Sequence, residues 1–527
     1  MMNKVEGAYY TPRYLSDYLV ELSFKNIKKN ENEIIKILEP SCGDGVFIKS
    51  LLNTNNIAKE IIGVEKNKNE LDKVKKVVNS NISKNDNVCL YNIDFLDYIL
   101  ETKEKFDLII GNPPYIQKKL MSKSQLDKAK AIVSDLSINT IYNIWIPFVV
   151  ASINLLNNNG ILCLVLPSEM LQVKYADSIR KLIYSNFPYF KIISFDFNVF
   201  PEIDQDVVIL LGIKNKPAGL SFETLTKDHS NNLKLLSNIE VDSSKKYDKW
   251  LWFTLEKEEI LLLNKIEQKV VKISNVCEST AGIVTGNNNF FILSANDLTQ
   301  FGLKEYGKPI LKRSLYSKNT INFTELDFNE LLKGKEGTYL LDFNALPQNL
   351  NHEVINYIDN GQQIGIHKGY KCSIRNLWYE VPSIWKSEGF IFKRAHTYPK
   401  ILVNSADVYV TDTAYRIKMK EGYNIKNLVF SFYNSYTLSI AELKGRKYGG
   451  GVLEITPSEF RDIDIPYTDI SSEQFNMLDN LFRKKAPIEE ILDYTDSIIL
   501  KDNLGLKDSE IEKIKSIREK LVKIRIS

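Results

Sequence analysis

Cysteine and histidine are scarce and scattered. The 527 residues hold five cysteines (Cys42, Cys89, Cys163, Cys277, Cys372) and four histidines. No two of them have metal-ligand spacing, which argues against a zinc site and for reduced, cytosolic thiols. Uninterrupted apolar runs of about 18 residues are also missing, so a membrane span is not expected. Met1–Tyr10 carries no apolar signal core. Net charge is only +3; it neither demands nor excludes nucleic acid, because the distribution of charge matters more than its sum. The glycine turn near residue 43 is not GxGxxG, and no lysine follows it as in a phosphate-binding loop.

What remains is an ordinary composition, 44% hydrophobic and 26% charged, in a chain long enough for two or three domains. Seven short apolar runs have strand length: Ile34–Leu38, Ile61–Glu65, Val88–Tyr91, Phe106–Ile110, Ile161–Pro167, Ile192–Phe197 and Val207–Ile213. Amphipathic stretches separate most of them, which predicts an α/β domain with a mostly parallel seven-stranded sheet. The short Asn198–Asp206 connection predicts that the last two strands form an antiparallel pair closing the sheet edge. Lys214–Lys249 is polar, with turn signals at Lys216-Pro217 and Asp242-Ser243-Ser244, and reads as the exit from this domain. From Trp250 the rhythm changes to a mixed α+β pattern. The tail from Ser471 is helical, with Ile511, Ile514, Ile517 and Leu521 on one face and Ser509 with Glu512 as a capping box. The expected division is 1–240, 241–470 and a helical segment 471–527.

Candidate chemistry gathers at successive strand ends of the first domain. Leu38–Phe47 forms a glycine turn after the first strand, where Glu39 favours a ligand with an amino or sulfonium group over a pyrophosphate. Glu65 ends the second strand, where an acid typically bonds ribose hydroxyls. Asp94-Phe95 follows the third and could read an exocyclic amine and pack on a purine. Asn112-Pro113-Pro114-Tyr115 follows the fourth: an amide, a rigid turn and a ring suited to holding a planar amino group.

With Tyr10-Thr11-Pro12 before them, and Asn143-Ile144-Trp145, Phe148, Gly160, Pro167 and Val199-Phe200-Pro201 after, these features resemble the gamma group of S-adenosylmethionine-dependent DNA amino-methyltransferases. The likeness covers residues 6–215; beyond it only Gly282–Gly286 and Gly449–Glu454 match loosely. The resemblance implies a Rossmann-like class I methyltransferase domain, then a target-recognition domain. It implies methyl transfer to the N6 amine of adenine in double-stranded DNA, mostly in bacterial restriction-modification systems. Thr11, Glu39 and Ser41, with Gly43 in the same turn, would lie against the methionine part of the cofactor. Glu65 would hold its ribose, and Asp94, Phe95, Pro114 and Phe148 its adenine. Asn112 and Pro113 would supply carbonyl acceptors to the target amine, while Tyr115 and Phe200 would touch the flipped-out base.

Cytosine-N4 methylation shares this chemistry and stays open, as do an RNA amine and a protein glutamine at lower weight. A DNA-binding subunit with an inactive methyltransferase fold is the reading from another class. In the second domain, Lys368, Arg375, Lys393 and Arg394 among aromatics, and Lys444, Arg446 and Lys447 before a glycine run, are candidate DNA contacts. A monomer would suffice, located in the cytoplasm on the nucleoid, with room for a separately encoded restriction endonuclease as partner; no metal is expected.

Overall fold

The computed structural model describes residues 10–28, 33–54, 58–83, 86–136, 138, 140–200, 206–228, 232–242, 247–317, 319–334, 337–344, 346, 351–448 and 450–526. Ser243, Ser244, Pro201 and Gly449 lie outside the described residues. The chain divides into two compact units, one ending at Ile260 and one spanning Leu261–Ile526.

The first unit is built on a sheet whose strands are β1 (Ile35–Glu39), β2 (Lys59–Val64), β3 (Asn87–Tyr91), β4 (Phe106–Gly111), β5 (Leu156–Pro167), β6 (Tyr189–Phe195), β7 (Val207–Ile213), β8 (Gly219–Lys227) and β9 (Leu233–Val241). Their order is β3-β2-β1-β4-β5-β7-β6-β8-β9. The first five strands pair in parallel, and β7 runs antiparallel between β5 and β6. β1, β4 and β7 are buried almost throughout, as expected of strands covered on both faces. Helices α1 (Arg13–Phe24), α2 (Val46–Leu52), α3 (Lys68–Asn81), α4 (Phe95–Glu101), α5 (Lys123–Ile132), α6 (Trp145–Leu155) and α7 (Asp177–Asn186) complete the unit.

Two expectations are corrected here. The β6–β7 pair is antiparallel but does not close the sheet, because β8 joins β6 in parallel and β9 follows antiparallel. The polar stretch read as a domain exit therefore supplies two more strands, making nine rather than seven. Leu220, Phe222 and Leu225 are buried, and Glu223 forms an ion pair with Lys191 of β6. The acid that makes this segment look polar is thus neutralised by its neighbour strand.

The second unit is mixed α and β. Its largest sheet has five strands, in the order Cys277–Ala281, Ala414–Met419, Gly389–Phe392, Ile401–Asn404 and Asn322–Phe323. Gly282 follows the first of these, where a Cβ would lie 2.0 Å from the Thr411 carbonyl oxygen, so only glycine fits. The C-terminal helix Asp508–Ile526 buries Ile511, Ile514, Ile517 and Leu521. Ser509 and Glu512 fall inside it and do not cap it; instead the Lys507 amide donates to Glu510 at 2.9 Å. A capping box does open the helix Ser472–Arg483, between Ser471 and Gln474.

Candidate active site

Strand order reverses between β1 and β4, which are adjacent although β2 and β3 intervene in sequence. Ligands of open α/β sheets bind in the crevice at such a switch point, beyond the carboxyl ends of the strands. Glu39 is the last residue of β1; Glu65, Asp94 and Asn112 follow β2, β3 and β4. A cavity of about 840 Å³, measured out to its open mouth, lies there. Its walls include Ser41, Gly43, Glu65, Asp94, Phe95, Asn112, Pro114 and Phe148.

The glycine turn is fixed from several sides. Gly45 precedes α2 at φ +82°, a left-handed conformation that disfavours other residues. The Cys42 amide and thiol both donate to the Val64 carbonyl at the end of β2, at 3.0 and 3.2 Å. Burial pushes the Cys42 thiol well above its usual range, so it offers no thiolate nucleophile. Gly63 leaves room for it, since a Cβ there would stand 2.8 Å from Cys42 Sγ. The Glu65 carboxylate accepts from the Gly43 amide (2.9 Å) and the Asn67 amide (2.8 Å), which ties the turn to the start of α3. Asp94 caps α4 by accepting from the Leu96 amide at 2.9 Å. The rings of Phe95 and Phe148 meet at 4.8 Å between centroids and are tilted by 41°.

Glu39 fits a cationic ligand. Its side chain is 1% exposed, and neither carboxylate oxygen has a hydrogen-bond partner among the described residues. Burial, then the nearby Asp44 and Glu65 charges, push its pKa well up; the Ile48 amide opposes them weakly. A buried carboxyl directly before the cavity-wall residues Pro40 and Ser41 is what an ammonium or sulfonium group would satisfy.

The Asn112 carboxamide is held at both ends. Its Nδ2 donates to Thr11 Oγ1 at 3.2 Å, and the Tyr115 hydroxyl donates to its Oδ1 at 2.9 Å, with the Val165 carbonyl at 3.1 Å as that hydroxyl's other acceptor. Ser41 Oγ donates to the Asn112 main-chain carbonyl at 3.1 Å. Five of the expected site residues, Thr11, Glu39, Pro113, Tyr115 and Phe200, stand apart from the cavity walls. Thr11 (6% exposed) faces Asn112, while Tyr115 (7%) and Phe200 (6%) are buried. Neither ring presents the open face that stacking on a base requires. The Tyr115–Asn112 and Thr11–Asn112 bonds were missed in the sequence, where only the order Asn-Pro-Pro-Tyr brings two of the three together.

Among the basic candidates of the second unit, Arg375 is a correction. Its guanidinium donates to the carbonyls of Val284 (3.0 Å), Thr285 (2.8 Å) and Trp378 (3.3 Å). A guanidinium with three donors committed to main-chain carbonyls is held as a structural tie rather than presented to a base. Arg446 binds Glu459 at 2.7 Å, and Lys444 binds Asp464 at 2.8 Å. Lys393 and Arg394 share Glu454, at 3.2 and 3.6 Å. Lys447 lies in the strand Arg446–Tyr448. Lys368 is exposed at the end of a short helical turn. Trp378 and Tyr379 pack against the core of this unit.

Residues 23–200 match the family model described as Eco57I restriction-modification methylase, and residues 247–500 match that of the C-terminal domain of the Type II methyltransferase M.Eco57I. The Type II methyltransferase M.AccI of Acinetobacter calcoaceticus is 24% identical over 456 residues, covering 80% of this chain and 79% of that protein. The chain belongs to the restriction-modification DNA methyltransferases. M.HincII of Haemophilus influenzae is 31% identical over 215 residues, but this covers only 40% of this methyltransferase and 38% of that one. The Type IIL restriction-modification enzyme MmeI, solved in complex with DNA, shares the fold, with a TM-score of 0.64 at 13% identity over 99% of this chain and 80% of that one. The methyl donor of this methyltransferase is S-adenosylmethionine, and the acids and aromatic rings around the cavity are of a chemistry that suits its cationic and purine ends. Among the described residues no cluster of His, Cys, Asp or Glu could hold a metal, and no helix is long and apolar enough to cross a membrane.

Proposed function

We propose that the protein methylates the N6 amine of a flipped-out adenine at a specific sequence in duplex DNA. The observation that carries this reading is the Asn112 carboxamide, held by Thr11 and Tyr115 in the wall of a nucleoside-sized cavity. S-adenosylmethionine bound in that cavity supplies an electrophilic methyl group on sulfur. Glu39 and Ser41 hold its methionine end, Glu65 its ribose, and Asp94, Phe95, Pro114 and Phe148 its adenine.

The exocyclic nitrogen of adenine is a poor nucleophile because its lone pair is delocalised into the ring. Asn112 Oδ1 and the Pro113 carbonyl accept its two hydrogens and localise the lone pair for attack. No hydrogen bond among the described residues reaches the Pro113 carbonyl. With the cofactor bound, the nitrogen held this way would take the methyl group from sulfur, which would keep the bonding pair, and would give up a proton to water. Acceptors already in place where positive charge develops need no reorganisation. For Tyr115 and Phe200 to touch the target base, both rings must be uncovered when DNA binds.

Leu261–Ile526 is assigned as the target-recognition unit, with Lys368 as a phosphate contact. The protein is expected to act as a cytoplasmic monomer on the nucleoid, alongside a separately encoded endonuclease.

The test is transfer of labelled methyl to unmethylated bacterial duplex DNA, followed by nucleoside analysis. N6-methyladenine from the wild type and not from Asn112→Ala, with cofactor binding retained, supports the reading. N4-methylcytosine would keep the chemistry and change the base. An unlabelled DNA product despite cofactor binding would refute it.

A further inference from the structure

Gln125 belongs to the wall of the cofactor cavity, although no sequence motif singles it out. It stands in the first turn of α5 and closes a capping box there. The Gln125 amide donates to Ser122 Oγ at 3.2 Å, and the Ser122 amide donates to Gln125 Oε1 at 3.1 Å. A main-chain amide can only donate, so it decides which end of the carboxamide is used. Oε1 is committed to the helix. Nε2 has no hydrogen-bond partner among the described residues and is left for a ligand. We propose that Gln125 Nε2 donates to a ring nitrogen of the cofactor's adenine, next to that adenine's own exocyclic amine, so that Gln125 and Asp94 together read the purine. The inference rests on the placement of the cofactor's purine proposed above, and not on which DNA base is methylated.

The packing of α5 sets Gln125 at the purine end. Lys128 lies one turn after Gln125 on the same face of α5. It forms an ion pair at 2.5 Å with Asp97, in the first turn of α4, the helix that Asp94 caps and Phe95 begins. On its other side α5 packs against α6, which carries Phe148. Gln125 therefore joins the cavity wall with Asp94, Phe95 and Phe148, not with the glycine turn. The donors and acceptors there match one purine edge. Adenine's amine donates, and the ring nitrogens on either side of it accept. Asp94 uses Oδ1 on the Leu96 amide at 2.9 Å, which leaves its other oxygen to accept from the amine. Gln125 Nε2 supplies the neighbouring donor. A 6-oxo purine would offer a carbonyl oxygen to Asp94, acceptor against acceptor, and so should be refused. The capping box thus does more than start α5: by engaging Oε1 it leaves the donor end for the ligand.

Two variants remove the donor in different ways. Gln125→Glu keeps an oxygen for the Ser122 amide, and with it the capping box, while Nε2 becomes a second oxygen. Gln125→Met removes the donor without adding charge and gives up the box. Equilibrium binding of the demethylated product, S-adenosylhomocysteine, to the full chain is the readout, so no methyl transfer is needed. Both variants should bind it about tenfold more weakly, the loss of one hydrogen bond. Thermal melts of the ligand-free proteins check the fold: Gln125→Glu should melt at or above the wild-type temperature, since an acid in the first turn of a helix is favourable.

Analogues of the product locate the bond. The 1-deaza and 7-deaza forms each replace one ring nitrogen beside the amine by a C–H. With one of the two, wild type and Gln125→Met should bind within about twofold of each other, because the bond the variant breaks is already gone; which of the two shows this names the nitrogen. The proposal is overturned if both variants bind S-adenosylhomocysteine as wild type does, or if the difference persists undiminished with both analogues. A loss in Gln125→Glu alone would be an effect of charge and would overturn it as well. The 6-oxo analogue separates this inference from the reading beneath it. Wild type that prefers the amine to the 6-oxo form, with Gln125 variants that bind normally, would remove Gln125 and keep the purine at Asp94. Wild type that binds both forms equally would overturn the purine placement and this proposal with it.

Discussion

Glu39→Gln should change ligand-free stability and cofactor affinity in opposite directions. The wild-type carboxyl is 1% exposed with both oxygens unpartnered, and its pKa is pushed well above the usual carboxylate range by burial, then by Asp44 and Glu65. A carboxyl whose folded pKa is raised stabilises the fold while it is protonated. That contribution is complete below the unfolded pKa and is lost as pH rises to the folded value. Within this window the ligand-free wild type should lose about 1.4 kcal/mol per pH unit. Glutamine has the same shape and no proton to lose, so its stability should stay level there, and at pH 8 the variant should be the more stable protein.

With S-adenosylmethionine the order inverts. A hydrogen bond to a charged group contributes about 1.5–3 kcal/mol, so the variant should bind the cofactor roughly 10- to 150-fold more weakly. Wild-type affinity should also tighten with pH as the carboxyl gives up its proton to meet a cation. Denaturant unfolding of both ligand-free proteins between pH 5 and 8, with calorimetric titration of the cofactor, measures every quantity. Parallel stability curves, or equal affinities, would refute the assignment of Glu39 to the sulfonium or amino group.

The other predictions concern the second unit and the acceptor amide. Lys368→Ala should weaken DNA binding at all sequences and lower the salt-dependence slope by about 0.9. Arg375→Ala should instead cost about 3 kcal/mol or more of stability by stranding the Val284, Thr285 and Trp378 carbonyls; a thermal melt separates the two outcomes. Lys400 is buried against the Ser317 carbonyl, and burial pulls its pKa down to about 7. A lysine with a lowered folded pKa costs stability in full below that value, and the cost fades as pH rises toward its ordinary 10.5. Lys400→Met should therefore stabilise the protein by roughly 2–4 kcal/mol below pH 7 and much less at pH 10, as read by denaturant unfolding. Asn112→Ala should leave cofactor affinity within about twofold while abolishing transfer, because the main-chain carbonyl that Ser41 binds is kept and the lost acceptor is the one assigned to the target amine.

Seven of the nine strands were legible because each is a short apolar run, buried almost throughout in β1, β4 and β7. β8 and β9 were not, since Glu223, Lys227 and Lys234 interrupt them and the Lys191 that neutralises Glu223 lies on another strand. The cavity walls were legible for a different reason: an acid, an amide or a ring directly after a strand end needs only the strand to be placed. The hydrogen bonds of Thr11 and Tyr115 were not legible, because which way a side chain turns depends on residues distant in sequence, such as Asn112 for Thr11 and Val165 for Tyr115. Arg375 shows the same limit. Its charge and aromatic neighbours suggested a nucleic-acid contact, and only the fold reveals that it holds the Val284 and Thr285 carbonyls, some ninety residues earlier.

Gly63 and Cys42 occupy a single volume. The sulfur of one stands 2.8 Å from where the other's Cβ would be. Leu90 Cδ2 at 2.8 Å and Ile48 Cδ1 at 2.9 Å claim the same space. Drift at position 63 is therefore coupled to three others at once: an alanine there would need the turn, the neighbouring strand and the following helix all to give way, so no single compensating change can release it.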